Sequence, residues 1–126
     1  MLEEKLREIN ELALWDYTAT RTDDDTLLIL GSNDLDYYHH LEIEFRGVVF
    51  TDLPAQFSHA QFRLGMETTE DDPTIWINAE SWDTLGTKDF EVQAAKVEVR
   101  IGTVYYYDRE NLKPGERIAS WVKRKT

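Results

Sequence analysis

The sequence predicts an α+β protein in which one N-terminal helix packs on a mostly antiparallel sheet of about seven or eight strands. Apolar residues repeat with a helical period only up to residue 13. Beyond Trp15 they alternate with polar residues in short runs separated by turn-forming residues, which is typical of strands. Because no helical pattern lies between these runs, we expect no parallel crossover units, and the sheet should curl into a sandwich or an open barrel.

The N-terminal helix is predicted over residues 2–13. Its apolar stripe contains Leu2, Leu6, Ile9 and Ala13, and its charged residues lie elsewhere. Charge pairs four residues apart contribute only a few tenths of a kcal/mol each, and here one pair is favourable and another is repulsive. Packing of the apolar stripe on the sheet must therefore stabilise the helix.

A hairpin and one strongly alternating strand should follow the helix. Residues 15–21 and 26–30 are predicted strands on either side of a polar turn at residues 22–25, because Asp side chains bond their own backbone in turns. Residues 39–46 show the clearest alternation in the chain. Their apolar face comprises Leu41, Ile43 and Phe45, and their polar face comprises His40, Glu42, Glu44 and Arg46.

The second half of the chain continues the strand pattern. Residues 61–66 and 74–78 are predicted strands on either side of an acidic loop that ends in a proline. Residues 90–104 form the longest sheet-like stretch. Its predicted core residues, which should form the core face of the sheet together with Leu41, Ile43 and Phe45, are Val97, Val99 and Ile101.

The C-terminal segment differs from the rest of the chain in charge. Residues 113–126 carry five basic residues and one acidic residue, a net charge of +4, which leaves −15 on residues 1–112. The Pro114–Gly115 pair suits the centre of a type II turn, so residues 103–107 and 117–122 are expected to pair across it. We interpret residues 1–126 as one domain with a basic C-terminal segment whose end is frayed.

Composition excludes several functional classes. The chain has no cysteine, which removes disulfide frameworks, thiolate zinc sites, iron–sulfur clusters and cysteine nucleophiles. Its first residues are acidic where a secretory signal is basic, and its uncharged runs are too short to span a membrane, so the sequence predicts a cytoplasmic protein without membrane contact. The charge of −15 on the body opposes binding to a phosphate backbone, so we expect no nucleic-acid partner.

Catalytic motifs are also missing from the sequence. It contains no glycine-rich nucleotide cradle and no serine nucleophile elbow, and its Asp-rich segments lack the spacing of a calcium loop. His40 and Glu42 share a strand face and could form part of a metal site, which keeps a metal-dependent enzyme as one alternative. The favoured expectation is a non-enzymatic protein that needs no metal or cofactor.

Tryptophan and acidic residues predict the favoured function. Trp76 alternates with Ile75 and Ile77, so its indole should point outward when they point inward, and Trp82 lies in a polar segment. Outward tryptophans beside acids are typical of binding surfaces, although a second core on the other sheet face explains them equally well. The favoured hypothesis is an interaction module that recognises a basic protein, a composition shared by acidic immunity proteins that neutralise basic toxin nucleases. The predicted contact residues are Asp23, Asp24, Asp25, Trp76 and Trp82.

The first alternative, ahead of the metal-dependent enzyme, is a barrel that binds a small molecule. Its cavity would have to be lined by aromatic residues from separate strands. The residues proposed for this lining are Phe57, Trp76 and Tyr105.

Overall fold

The computed structural model describes residues 2–65, 73–81 and 86–123, which form one helix and seven strands. The prediction of an α+β fold with a mostly antiparallel sheet is confirmed. In chain order the elements are α1 (Leu2–Glu11), β1 (Asp16–Arg21), β2 (Thr26–Ser32), β3 (Tyr38–Thr51), β4 (Gln56–Leu64), β5 (Thr74–Glu80), β6 (Lys88–Tyr105) and β7 (Arg117–Ile118).

The sheet closes into a six-stranded barrel. Its strand order is β3-β2-β1-β4-β5-β6-β7, and a further pairing of β3 with β6 joins the two sides. Closure depends on the length of β6, because residues 88–93 pair with β5 whereas residues 92–105 pair with β3. The expectation of a sandwich or an open barrel is therefore replaced by a closed barrel.

The turn at Pro114 and Gly115 forms without making a hairpin. The Glu116 amide donates to the Lys113 carbonyl at 3.0 Å, and Gly115 has φ +85°, as the third position of a type II turn requires. The strand after the turn, β7, pairs in parallel with the end of β6, so the expected pairing exists with the opposite strand direction.

The barrel interior contains the alternating apolar residues. Leu41, Ile43 and Phe45 are at most 1% exposed, as the strand pattern predicts. Val97 and Val99 pack against the same core with partial burial. Ile101 does not join it: its side chain is 44% exposed and lines a surface pocket with Leu12 and His40, on a part of β6 that has no β5 partner.

The helix α1 packs against the barrel through its predicted stripe. Leu6 and Ile9 are buried, and the side chain of Asn10 bonds both backbone groups of Phe62 in β4 at 2.8 and 2.9 Å. Asn10 thereby replaces a strand partner, since β1 pairs with β4 only at residues 56–58. Ala13, which the sequence placed on the stripe, lies beyond the helix and is exposed. No helix in the described part of the chain is long and apolar enough to cross a membrane.

Candidate functional site

Three polar residues form a row across adjacent strands on the outside of the barrel. Asp16 of β1 pairs with Ser58 of β4, and Ser58 pairs with Glu80 of β5. Paired residues on neighbouring strands point to the same face of a sheet. The adjacent residues Tyr17 and Phe57 are at most 4% exposed, so their side chains point inward and the row points outward.

A β-bulge directly after Ser58 brings a histidine to one end of this row. The register shifts between Ser58 and Gln61, and His59 takes a φ of 51°, which is uncommon for a residue other than glycine. The His59 amide donates to the Trp15 carbonyl at 3.1 Å, and its Nδ1 lies 3.0 Å from a carboxylate oxygen of Glu80. The bulge thus places the His59 ring between the indole of Trp15, with ring centroids 5.5 Å apart, and the carboxylate of Glu80.

A pocket of about 280 Å³ lies over the row. Leu35 contributes an apolar side chain to the pocket, Asp16 and Glu80 contribute carboxylates, and Tyr17 and Phe57 border it from the core side. Burial raises the pKa of Tyr17 to about 12, so its hydroxyl stays neutral at physiological pH. The remaining lining residues are polar and uncharged: Thr18, Gln56, Ser58 and Ser81.

The connection between β2 and β3 holds further acidic residues next to the pocket. The Ser32 hydroxyl accepts from the Asp34 amide at 2.9 Å, and the Asp34 carboxylate accepts from the Asp36 amide at 3.2 Å. The Asp34 carbonyl accepts from the Tyr37 amide at 3.2 Å, which completes the turn. These bonds fix the turn locally and leave Asp36 exposed.

Exposed aromatic rings border the same turn. Trp15 is 63% exposed, and its backbone amide donates to the side chain of Asn33 at 3.0 Å. Tyr37 is 58% exposed and meets Tyr107 edge to face, with ring centroids 6.5 Å apart. We define the acidic-aromatic face as the surface formed by Trp15, Asp16, Asp34, Leu35, Asp36, Tyr37, His59, Glu80 and Tyr107.

The carboxylates of the acidic-aromatic face are poorly compensated. Among the described residues, Asp16, Asp34 and Asp36 form no ion pair, and Glu80 has only the hydrogen bond to His59. Arg109, two residues after Tyr107 in the chain, is engaged with the ring of Tyr105 and the hydroxyl of Tyr107. The face therefore keeps a negative charge beside its exposed rings.

The other carboxylate singled out from the sequence, Glu42, is fully compensated. Its carboxylate accepts hydrogen bonds from Nε of Arg100 at 2.8 Å, from a terminal nitrogen of Arg117 at 2.7 Å and from Nε2 of His39 at 2.7 Å. The Nδ1 of His39 faces the Tyr106 hydroxyl at 2.5 Å. A neutral His39 that donates from Nε2 and accepts at Nδ1 satisfies both contacts.

Two opposed effects set the pKa values in the Glu42 network. Burial alone would raise the pKa of Glu42, but hydrogen bonds from Arg100 and His39 and the charge of Arg117 outweigh burial and lower it. Burial lowers the pKa of His39 and exceeds the opposing effect of Glu42. The network therefore contains an ionised glutamate and a neutral histidine, and it ties the start of β7 to the barrel.

Neither alternative site is assembled by the described residues. No group of three histidine and acidic side chains among them is placed to hold a metal ion, and His40 bonds the Thr103 hydroxyl at 2.9 Å, away from the contacts of Glu42. The proposed cavity residues also separate: Phe57 stacks on Tyr17 in the core, the indole of Trp76 lies on the outer face of β5, and the Tyr105 hydroxyl donates to Glu116.

The predicted contact residues lie on separate elements. Asp23, Asp24 and Asp25 form the exposed turn between β1 and β2, where the sequence predicted a hairpin. The indole of Trp76 points outward, since Ile75 and Ile77 are fully buried, but it is only half-exposed and lies under the guanidinium of Arg63 at 5.7 Å. Trp82 lies outside the described residues, so its predicted role stays a prediction.

No protein family, curated protein or solved structure matches this chain. The functional argument therefore depends on the geometry alone. Sequence reasoning missed Trp15, Asp16 and Glu80 because their proximity arises from pairing of three strands. The turn around Asp34 gave a usable signal, since a serine and two aspartates at alternate positions favour a self-bonded turn that presents its neighbours to solvent.

Proposed function

We propose that this protein is an interaction module that recognises a basic protein partner through the acidic-aromatic face. The observation that carries the proposal is the placement of Asp16, Asp34 and Asp36, which have no cationic partner among the described residues, beside the exposed rings of Trp15 and Tyr37. Large aromatic side chains supply most of the binding free energy in many interfaces, and unpaired charges select the partner.

The charge of the chain supports a basic partner. The net charge is −11, and the Asp23–Asp25 turn adds three exposed carboxylates to those of the face. Such charges attract a basic protein over about one Debye length, roughly 8 Å at physiological salt, and so act on the association rate. We assign the Asp23–Asp25 turn to this long-range attraction and the acidic-aromatic face to direct contact.

The rigidity of the face supports tight contact. Trp15, Asp16 and Glu80 adjoin or belong to barrel strands, and backbone hydrogen bonds hold the turn that carries Asp34. A preformed surface loses less conformational entropy on binding than a flexible loop does. Trp76 contributes less in this proposal, because its indole is already half-buried against Arg63.

Affinity capture from the native cytosol, with matched variants, tests the proposal. The wild-type protein should retain a basic protein that high salt releases, and Trp15→Ala or Tyr37→Ala should reduce its retention at least tenfold, as expected for an aromatic contact worth about 1.4 kcal/mol or more. Trp121→Ala is the control, because Trp121 is 68% exposed and packs on Tyr106 outside the face.

Charge variants separate local recognition from net charge. Asp34→Asn with Asp36→Asn should weaken capture, whereas Glu3→Gln with Glu4→Gln changes the net charge equally on the exposed side of α1 and should have a smaller effect. If every variant retained the partner equally, or if only the Trp121→Ala control lost it, the proposed location of the binding surface would be contradicted.

A further inference from the structure

The pocket over the row of Asp16, Ser58 and Glu80 has the shape and charge of a receptor for one side chain. Two strand spacings separate Asp16 from Glu80, about 10 Å between their backbones, and Ser58 lies between them. A group placed over Ser58 would therefore be within reach of both carboxylates. Among the described residues that line the pocket, none is a cation.

Two carboxylates form the charged part of this pocket. Asp16 has no hydrogen-bond partner for its carboxylate among the described residues, and only one of the two Glu80 oxygens is occupied, by His59. Ser58 and Gln56 add a hydroxyl and an amide oxygen to the lining. A ligand that fits must supply several donors and positive charge.

The two carboxylates distinguish between the two common cationic side chains. Leu35 adds an apolar side chain suited to a methylene stem, whereas the side chains of Tyr17 and Phe57 point into the core. A guanidinium is planar, is less hydrated than an ammonium and carries five donors, which can meet carboxylates on two sides. A lysine ammonium is a compact, strongly hydrated point charge and fits this lining less well.

We infer that the pocket between β1, β4 and β5 receives an arginine side chain of the partner protein. This inference rests on the proposed function and specifies how the acidic-aromatic face selects its partner. The guanidinium lies between Asp16 and Glu80, and its methylene stem lies against Leu35. His59 acts as a positioning residue, because its contact with Glu80 orients that carboxylate at the end of the row.

A blocked tripeptide, acetyl-Gly-Arg-Gly-amide, tests the pocket in the absence of the partner. Titrated into the isotope-labelled protein and followed by NMR, it should shift backbone amides at residues 16–18, 35 and 56–58 in a saturable way. The matched peptide with norleucine in place of arginine should give no saturable shift, and the lysine peptide should bind at least fivefold more weakly. Shifts of equal size with norleucine, or equal affinity for lysine, would overturn the inference.

Protein variants complete the test. Asp16→Asn with Glu80→Gln should weaken binding of the arginine peptide at least tenfold, whereas Glu3→Gln with Glu4→Gln on α1 should leave it within twofold. Unchanged affinity in the pocket variant, or equal loss in both, would overturn the inference. If the pocket variant keeps full affinity for a captured partner that Trp15→Ala loses, the inference fails while the proposed function stands. Absence of any salt-sensitive partner contradicts the proposed function, and the peptide result then stands by itself.

Discussion

Replacing Ile43 by alanine tests the closed barrel directly. Ile43 is 1% exposed and lies between Ile29 of β2 and Val99 of β6 in the strand register. The substitution removes three buried carbons, each worth about 0.8 kcal/mol, and leaves a cavity whose lining relaxes only in part. We therefore expect the free energy of unfolding to fall by about 3–4 kcal/mol.

Ile101→Ala is the matched control. Ile101 stands on a strand of the same sheet, so the loss of strand propensity is the same, but its side chain is 44% exposed. The expected cost is about 1 kcal/mol, because much of this side chain already contacts water. The contrast between the two variants isolates the contribution of the barrel interior.

Urea denaturation followed by far-ultraviolet circular dichroism measures both variants. The denaturation midpoint should fall in proportion to the free energy with an unchanged m value, and the melting temperature of the Ile43 variant should drop by about 12–16 °C, at about 4 °C per kcal/mol. Equal costs for Ile43→Ala and Ile101→Ala would refute the assignment of the inner face of β3.

Three further predictions concern pH, packing and charge. The pKa values of His39 and Glu42 are lower in the folded protein than their ordinary values of 6.5 and 4.5. The stability that they contribute is therefore complete above pH 6.5 and falls with acidification, first through His39 and then through Glu42. Urea midpoints at several pH values should show this fall, and His39→Gln should flatten the part of the pH profile that begins below pH 6.5. Gly31→Ala places a methyl group 2.9 Å from the ring of Tyr17 and should lower the free energy of unfolding by about 1–3 kcal/mol. An unchanged urea denaturation midpoint would contradict this packing. Replacing Asp23, Asp24 and Asp25 by asparagine should lower the association rate of the captured partner a few-fold at low salt with little change in its dissociation rate. Binding kinetics on an immobilised surface measure both rates. A larger change in the dissociation rate than in the association rate would contradict the assignment of this turn to long-range attraction.

Local features of the fold could be predicted from the sequence. The alternation in residues 39–46 identifies the buried face of β3 because side chains of a strand point alternately to its two sides. The Asp23–Asp25 turn is equally local, since its side chains bond their own backbone. The helix was found from its apolar stripe, but Ala13 lies beyond its end, where the chain takes a positive φ.

Features that depend on distant pairing could not be predicted. Closure requires β6 to change partners from β5 to β3, and this change leaves no mark in the apolar pattern of the strand. Ile101 is exposed on a part of β6 that has no β5 partner, although its sequence pattern equals that of Val99.

The candidate site shows the same limit. Outward tryptophans and excess acid indicated the kind of surface but not its location, because Asp16 and Glu80 meet only through β4 between them. The bulge that turns His59 toward Trp15 is also a property of the paired strands, and no single segment encodes it.

A hydrogen-exchange footprint of the captured partner on this protein tests the central claim most directly. Exchange of backbone amides, compared with and without the partner, should slow at residues 15–18, in the turn at residues 33–37 and at residues 57–59. The Asp23–Asp25 turn and residues 93–101 of β6 should exchange at the same rate in both states. Protection confined to β6 or to the β1–β2 turn, with none around Trp15 and Tyr37, would contradict recognition through the acidic-aromatic face.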